Sequence, residues 1–176
     1  MNSKKITHFI TLIGSIYLVA CGDSPPGTVA AKQQFSVASE SNQSIAAMKT
    51  VGTCSLENVV TIANNSTNFG TTNNYSVKKN IAYKLIGFAT NTELSAVPKS
   101  IRMMLVGSEI YSLNGTTGLD RPDVATFFKS PSLTTAGYQI DAEFNNVKPG
   151  EYVIFILLTD AAAPIACPTH QTVTVN

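Results

Sequence analysis

Three textures of apolar and polar residues succeed one another along the 176-residue chain. Ile6 to Ala20 is an apolar run of about fifteen residues, introduced by Met1-Asn2-Ser3-Lys4-Lys5 and followed closely by Gly22-Asp23-Ser24-Pro25-Pro26-Gly27. A helix that crosses the hydrocarbon core needs roughly twenty apolar residues, so this run is too short to span. Its cationic start and small-residue end predict a secretory leader over 1–20. From 21 to 44 the pattern lapses. Ser, Gln, Ala, Gly and Pro dominate, Phe35 is the only aromatic, and neither strand nor helical period is sustained. That composition predicts a flexible tether, although a short helix around Val29 to Phe35 is also compatible with it.

From 45 to 176 short apolar runs alternate with Asn, Thr, Gly and Pro clusters, which predicts a single all-β domain of seven or eight strands. Ala46 to Val51 and Cys54 to Ala63 are the first two expected strands, the second with Leu56, Val60 and Ile62 inward. Asn64 through Asn74 reads as a polar loop, because Asn tolerates left-handed backbone and satisfies its own turn. Ile81 to Ala89 is apolar on both alternating sets, as a central strand requires. Ile101 to Val106 and Glu109 to Leu113 follow, with Met103 and Met104 assigned to core filling. Asn114-Gly115-Thr116-Thr117-Gly118 is a turn signal. Pro122 to Phe128 is expected to make one or two helical turns, since proline and acidic side chains favour a helix start. Tyr138 to Phe144 alternates, with Tyr138, Ile140, Ala142 and Phe144 inward. Tyr152 to Leu158 is a buried central strand, Thr159 to Pro168 a loop, and Gln171 to Val175 the closing strand.

Leu18-Val19-Ala20-Cys21 resembles the lipobox of bacterial lipoproteins. The resemblance implies cleavage before Cys21 and acylation of its thiol, so that the mature protein is tethered to a membrane. Each buried methylene contributes roughly 0.8 kcal/mol, and stable anchoring takes more than one chain, which members of that family carry. In Gram-negative members an aspartate directly after the cysteine commonly retains the protein at the inner membrane. Gly22 stands there, with Asp23 one place later, so the resemblance implies the outer membrane of the cell envelope.

Composition narrows the picture. The chain has 12 basic and 11 acidic side chains, and without Lys4 and Lys5 the balance is 10 against 11. Phosphate backbones are gripped by several clustered Lys or Arg contacts, so nucleic acid is not an expected partner. Of the three cysteines, Cys21 is assigned to lipid, which leaves Cys54 and Cys167. In an oxidising compartment two remaining cysteines usually pair, so they are expected as a disulfide clasping the two ends of one domain, two free buried thiols being the alternative. Chain-entropy arguments give on the order of 4–5 kcal/mol for closing a loop of that size.

The run Leu119-Asp120-Arg121-Pro122-Asp123-Val124, taken with Gly137-Tyr138 and Lys148-Pro149-Gly150-Glu151-Tyr152, looks like the immunoglobulin-like modules of bacterial cell-surface and glycan-associated proteins. The resemblance covers roughly Ile81 to Leu158 and implies an immunoglobulin-like antiparallel β-sandwich, with Tyr152 at the position of the tyrosine corner. It also singles out Arg121 and Asp123, either as a loop pinned by its own ion pair or as a binding site.

Chemistry is sparse. A Ser-His-Asp triad needs an oriented histidine, and the only one beyond the leader is His170. Zinc wants three or four Cys or His ligands, and no calcium-loop spacing links Asn114, Asp120 and Asp123. Asn65-Ser66-Thr67 and Asn114-Gly115-Thr116 match the glycosylation triplet and read as polar turns. No catalytic residue, metal or cofactor is expected. The expected function is a non-catalytic binding module at the envelope, lipid-anchored to the membrane, with a protein or glycan partner. The alternative is a structural accessory of a secretion, pilus or conjugation machine.

Overall fold

The computed structural model describes residues 32–63, 73–160 and 163–176. The expected leader over 1–20, the expected lipidation site Cys21 and residues 64–72 of the expected polar loop lie outside the described residues. The described chain is all-β. In order it forms β1 (Gln33–Gln34), β2 (Ser36–Val37), α1 (Asn42–Ala46), β3 (Thr53–Thr61), β4 (Asn74–Val77), β5 (Ala82–Thr90) and β6 (Ser100–Val106). Then come β7 (Ile110–Leu119), α2 (Pro122–Phe127), a 3-10 turn over Pro131–Leu133, β8 (Gly137–Glu143), β9 (Gly150–Leu158) and β10 (Ile165–Val175). These are ten strands where seven or eight were expected, because two-residue strands and the four-residue β4 leave almost no period to read.

Eight of the strands make one hydrogen-bonded path, β3-β5-β8-β7-β6-β9-β10-β4, with β1 added to β8 and β2 to β7. Most neighbours are antiparallel as expected, but β1 runs parallel to β8 and β4 parallel to β10. The link between the two halves of the path is β7. Its first part pairs with β6 from Ile110 to Thr116, and its end swings over to β8 at Thr117 and Leu119. The expected turn at Asn114 to Gly118 is therefore strand. Gly115 serves a close approach: a β-carbon there would meet Ile140 Cδ1 at 2.4 Å. Gly118 takes φ +127° at the register shift, a conformation that favours glycine.

The alternation expected for β8 is present, with Tyr138, Ile140, Ala142 and Phe144 all 2 % exposed or less. In β5, Tyr83, Leu85 and Ala89 point into the same core. Met103 joins that core, whereas Met104 faces a second cluster with Ile45, Ile110, Leu157 and Ala166. Ile45 belongs to α1, which begins with a capping box between Ser41 and Ser44. The expected strand over Ala46 to Val51 is thus replaced by a helix end and a short connection, and only Thr50 makes a bridge, to Ala166. Ile165 to Pro168, expected as loop, is the first part of β10.

The largest correction concerns the tether. Its described part, 32–44, is folded: β1 pairs with Ala142 and Glu143, β2 with Ser112 and Tyr111, and Phe35 between them is fully buried. The Phe35 ring lies 4.8 Å from that of Phe144, which in turn meets Tyr83 edge-on at 5.8 Å. One aromatic in a polar stretch is enough to bring its neighbours into the sheet, because burying such a side chain removes 150–250 Å² from water.

The two ends of the path come back together. Cys54 of β3 and Cys167 of β10 form the expected disulfide, with Cα atoms 5.9 Å apart. Beside it the Gln171 amide does what a neighbouring strand would do: its Nε2 donates to Leu56 O at 2.5 Å and its Oε1 accepts from Leu56 N at 2.8 Å. The Tyr75 hydroxyl of β4 also donates to Leu56 O. The sheet nearly closes across this seam.

Candidate functional site

The residues that the sequence singled out, Arg121 and Asp123, sit together where β7 hands over to α2. Pro122 opens the helix and Asp123 occupies its first turn, as expected from the fixed φ of proline and the positive end of the helix. Arg121 Nε donates to Asp123 Oδ1 at 2.9 Å and Nη2 to Asp123 Oδ2 at 2.6 Å. The other side of the guanidinium donates to Glu57, Nη1 to Oε2 at 2.6 Å and Nη2 to Oε1 at 3.0 Å. Its Cζ lies over the Phe88 ring, 5.3 Å from the centroid. Gly137 makes room for the stem, since a β-carbon there would lie 2.9 Å from Arg121 Cγ.

Glu57 reaches Arg121 because of a β-bulge. Pairing of β3 with β5 slips between Leu56 and Asn58, so the inward positions run Cys54, Leu56, then Val59. The expected inward residue Val60 is turned partly outward, and Glu57, at the slip, is left free to meet the guanidinium. The electrostatics follow from the pairing. Hydrogen bonds from Arg121 hold the Asp123 carboxyl at about 2, below its ordinary 3.8. Asp123, then Glu57, push the guanidinium further up.

Around this array is an open cavity of about 500 Å³, lined by Glu57, Phe88, Arg121, Asp123, Phe127 and Phe128 among others. The C-terminal end of α2 fixes the two phenylalanines. Lys129 takes φ +52°, its N–H donates to Thr126 O, and Ser130 N–H donates to Ala125 O at 2.9 Å, the paired bonds of a Schellman cap. Phe128 packs against Val124, Leu133 and Ala136. Phe127 is 79 % exposed, the highest value among the large apolar side chains of the described residues.

Sequence reasoning found Arg121 and Asp123 but missed Glu57, Phe88 and Phe127. A partial signal for Phe127 was available: adjacent residues on a helix are about 100° apart, so Phe127 and Phe128 point in different directions at the end of α2. Nothing local announced Glu57, whose position depends on the bulge. His170 is exposed, with φ +57° at the register slip of β10, far in sequence from this cavity. Among the described residues no group of three His, Cys, Asp or Glu side chains could hold a metal ion. Compared with known proteins, the chain matches no family model, and no curated protein matches it.

Proposed function

We propose that the protein is a non-catalytic binding module of the bacterial cell envelope, anchored by lipid at Cys21, on the outer membrane, and meeting a partner through the α2 cavity. The observation that carries this reading is Phe127, a large apolar ring exposed at the mouth of a cavity with a polar array at its edge. A cavity with apolar lining and a few convergent polar groups is the default place for an interaction site, and Phe127 carries that lining out to the surface. The Arg121 array holds the site in place: its donors are committed to Asp123 and Glu57, so Arg121 shapes the cavity and the contact surface is Phe127 with the outward side of the two carboxylates.

The same reading takes the strand path as an immunoglobulin-like sandwich. Its support is the Tyr152 hydroxyl, which donates to Lys148 O at 2.8 Å while the ring is buried against Tyr111, the arrangement of a tyrosine corner. Two measurements test the function. Cys21→Ser should release the protein from the membrane fraction and remove the acyl mass from the native form; equal membrane retention would remove the anchor. A photo-crosslinking phenylalanine analogue at 127 should give a discrete adduct in cells, and the same analogue at Leu94, exposed elsewhere, should not. Identical adduct patterns at both positions, or none at either, would sink the docking face.

A further inference from the structure

Resting on that reading of the α2 cavity, we infer that its occupant is a cationic side chain on an apolar stem, an arginine or lysine presented by a partner protein. The single guanidinium at the edge has one N–H left for an anion. Of the five N–H donors of an arginine, four hydrogen bonds are already given to Asp123 and Glu57, and Phe88 covers one face. The carboxylates are in the opposite position. An ionised carboxylate offers about four lone-pair sites; Arg121 takes two on Glu57 and two on Asp123, whose carboxylate is also bonded by the backbone N–H groups of Val124 and Asp123, so what the edge offers a second cation is spare acceptor capacity on Glu57 and the charge of both. Two negative charges against one positive leave the edge with a net charge of −1. Lys129 does not cancel it from within, since it lines a neighbouring hollow with Pro122 and Pro131.

The remaining walls are mostly apolar, Phe127, Phe128, Val124 and Cys54, with Thr53 and Ser55 beside them. A long aliphatic stem lies along such surface while its charged end stays at the wet edge. A cation there also meets the exposed face of Phe127, and cation–π attraction acts within about 6 Å of a ring centroid. Apolar floor, acidic edge and free aromatic face together fit Lys or Arg better than they fit a carboxylate, a phosphate or a purely apolar side chain.

The test titrates detergent-solubilised full-length protein with Nα-acetyl-arginine methylamide and, in parallel, with its neutral isostere Nα-acetyl-citrulline methylamide, following aromatic and carboxylate resonances by NMR. The arginine probe should shift Phe127, Phe128 and Asp123 saturably, with a Kd on the order of 1 mM for so small a ligand. The citrulline probe should bind about tenfold more weakly. Phe127→Leu should weaken the arginine probe about two- to fivefold, and Asp123→Asn should bring it to the level of citrulline. Equal binding of the two probes, or shifts outside the cavity, overturns the inference. Should the Phe127 crosslink form in cells while both probes bind alike, the docking face stands and the cationic occupant falls.

Discussion

Phe35 and Phe127 carry the same side chain and meet opposite fates. Phe35 lies in the most polar stretch of the described chain and is fully buried; Phe127 lies in an apolar-rich run and is exposed. Local composition assigns both of them wrongly. What decides is which elements the fold brings opposite each ring. β7 and β8 pair with each other only at Thr117 and Leu119, which leaves room further along for β1, Phe35 and β2 to fill. α2, by contrast, offers one side to Leu133 and Ala136, Phe128 takes it, and Phe127 is left with an edge-on contact to the Phe128 ring at 5.0 Å and otherwise faces outward.

The contrast can be broken most forcefully at its buried member. Phe35→Ala should cost about 3–5 kcal/mol in denaturant unfolding, the usual loss for a core phenylalanine; a loss under about 1 kcal/mol would return the segment to the tether. Reducing the Cys54–Cys167 disulfide should cost about 2–5 kcal/mol, and combining it with Phe35→Ala reads the coupling between two sites of one buried cluster. Strong coupling between them would mean that seam and N-terminal segment open as one unit. Gln171→Ala leaves the Leu56 N–H buried without its acceptor and should cost about 1–3 kcal/mol, read as a shift in the unfolding midpoint. Phe127→Ala should stay within about 0.5 kcal/mol of wild type.

The smallest effect is a pH signature. The Asp123 carboxyl is held at about 2 against an ordinary 3.8, so its contribution is complete above roughly pH 4 and is lost as the pH falls towards 2. Wild type and Asp123→Asn should therefore differ in Tm at neutral pH and converge near pH 2. A difference independent of pH would show that the carboxylate charge contributes nothing to the α2 junction.

Where a segment's burial is decided by its own period, the sequence revealed it. Tyr138 to Phe144 alternates strictly and does so in the sheet, Tyr152 to Leu158 lies between β6 and β10, and Pro122 opens a helix. The two remaining cysteines could be paired because few choices were left. The period misleads where register slips: the bulge at Glu57 exchanges the faces of Val59 and Val60, and no residue type there signals it. Glycine misleads at 115, where it answers the crowding of Ile140 rather than a reversal of the chain. The candidate site was half legible for the same reason. Arg121 and Asp123 are two residues apart, whereas Glu57 and Phe88 arrive from strands whose pairing only the folded chain supplies.

The place where Phe35 enters the core has a mechanical consequence for the N-terminal anchoring proposed above. Tension arriving along the backbone meets the four paired residues of β1 and β2 and their one aromatic bolt before it meets anything else described. Behind them the covalent link between Cys54 and Cys167 limits further extension to chain outside that loop. Stretching from that side should therefore proceed in two stages, a low-force extraction of the first strands and then a much stiffer response, so that the body of the domain keeps its shape under load.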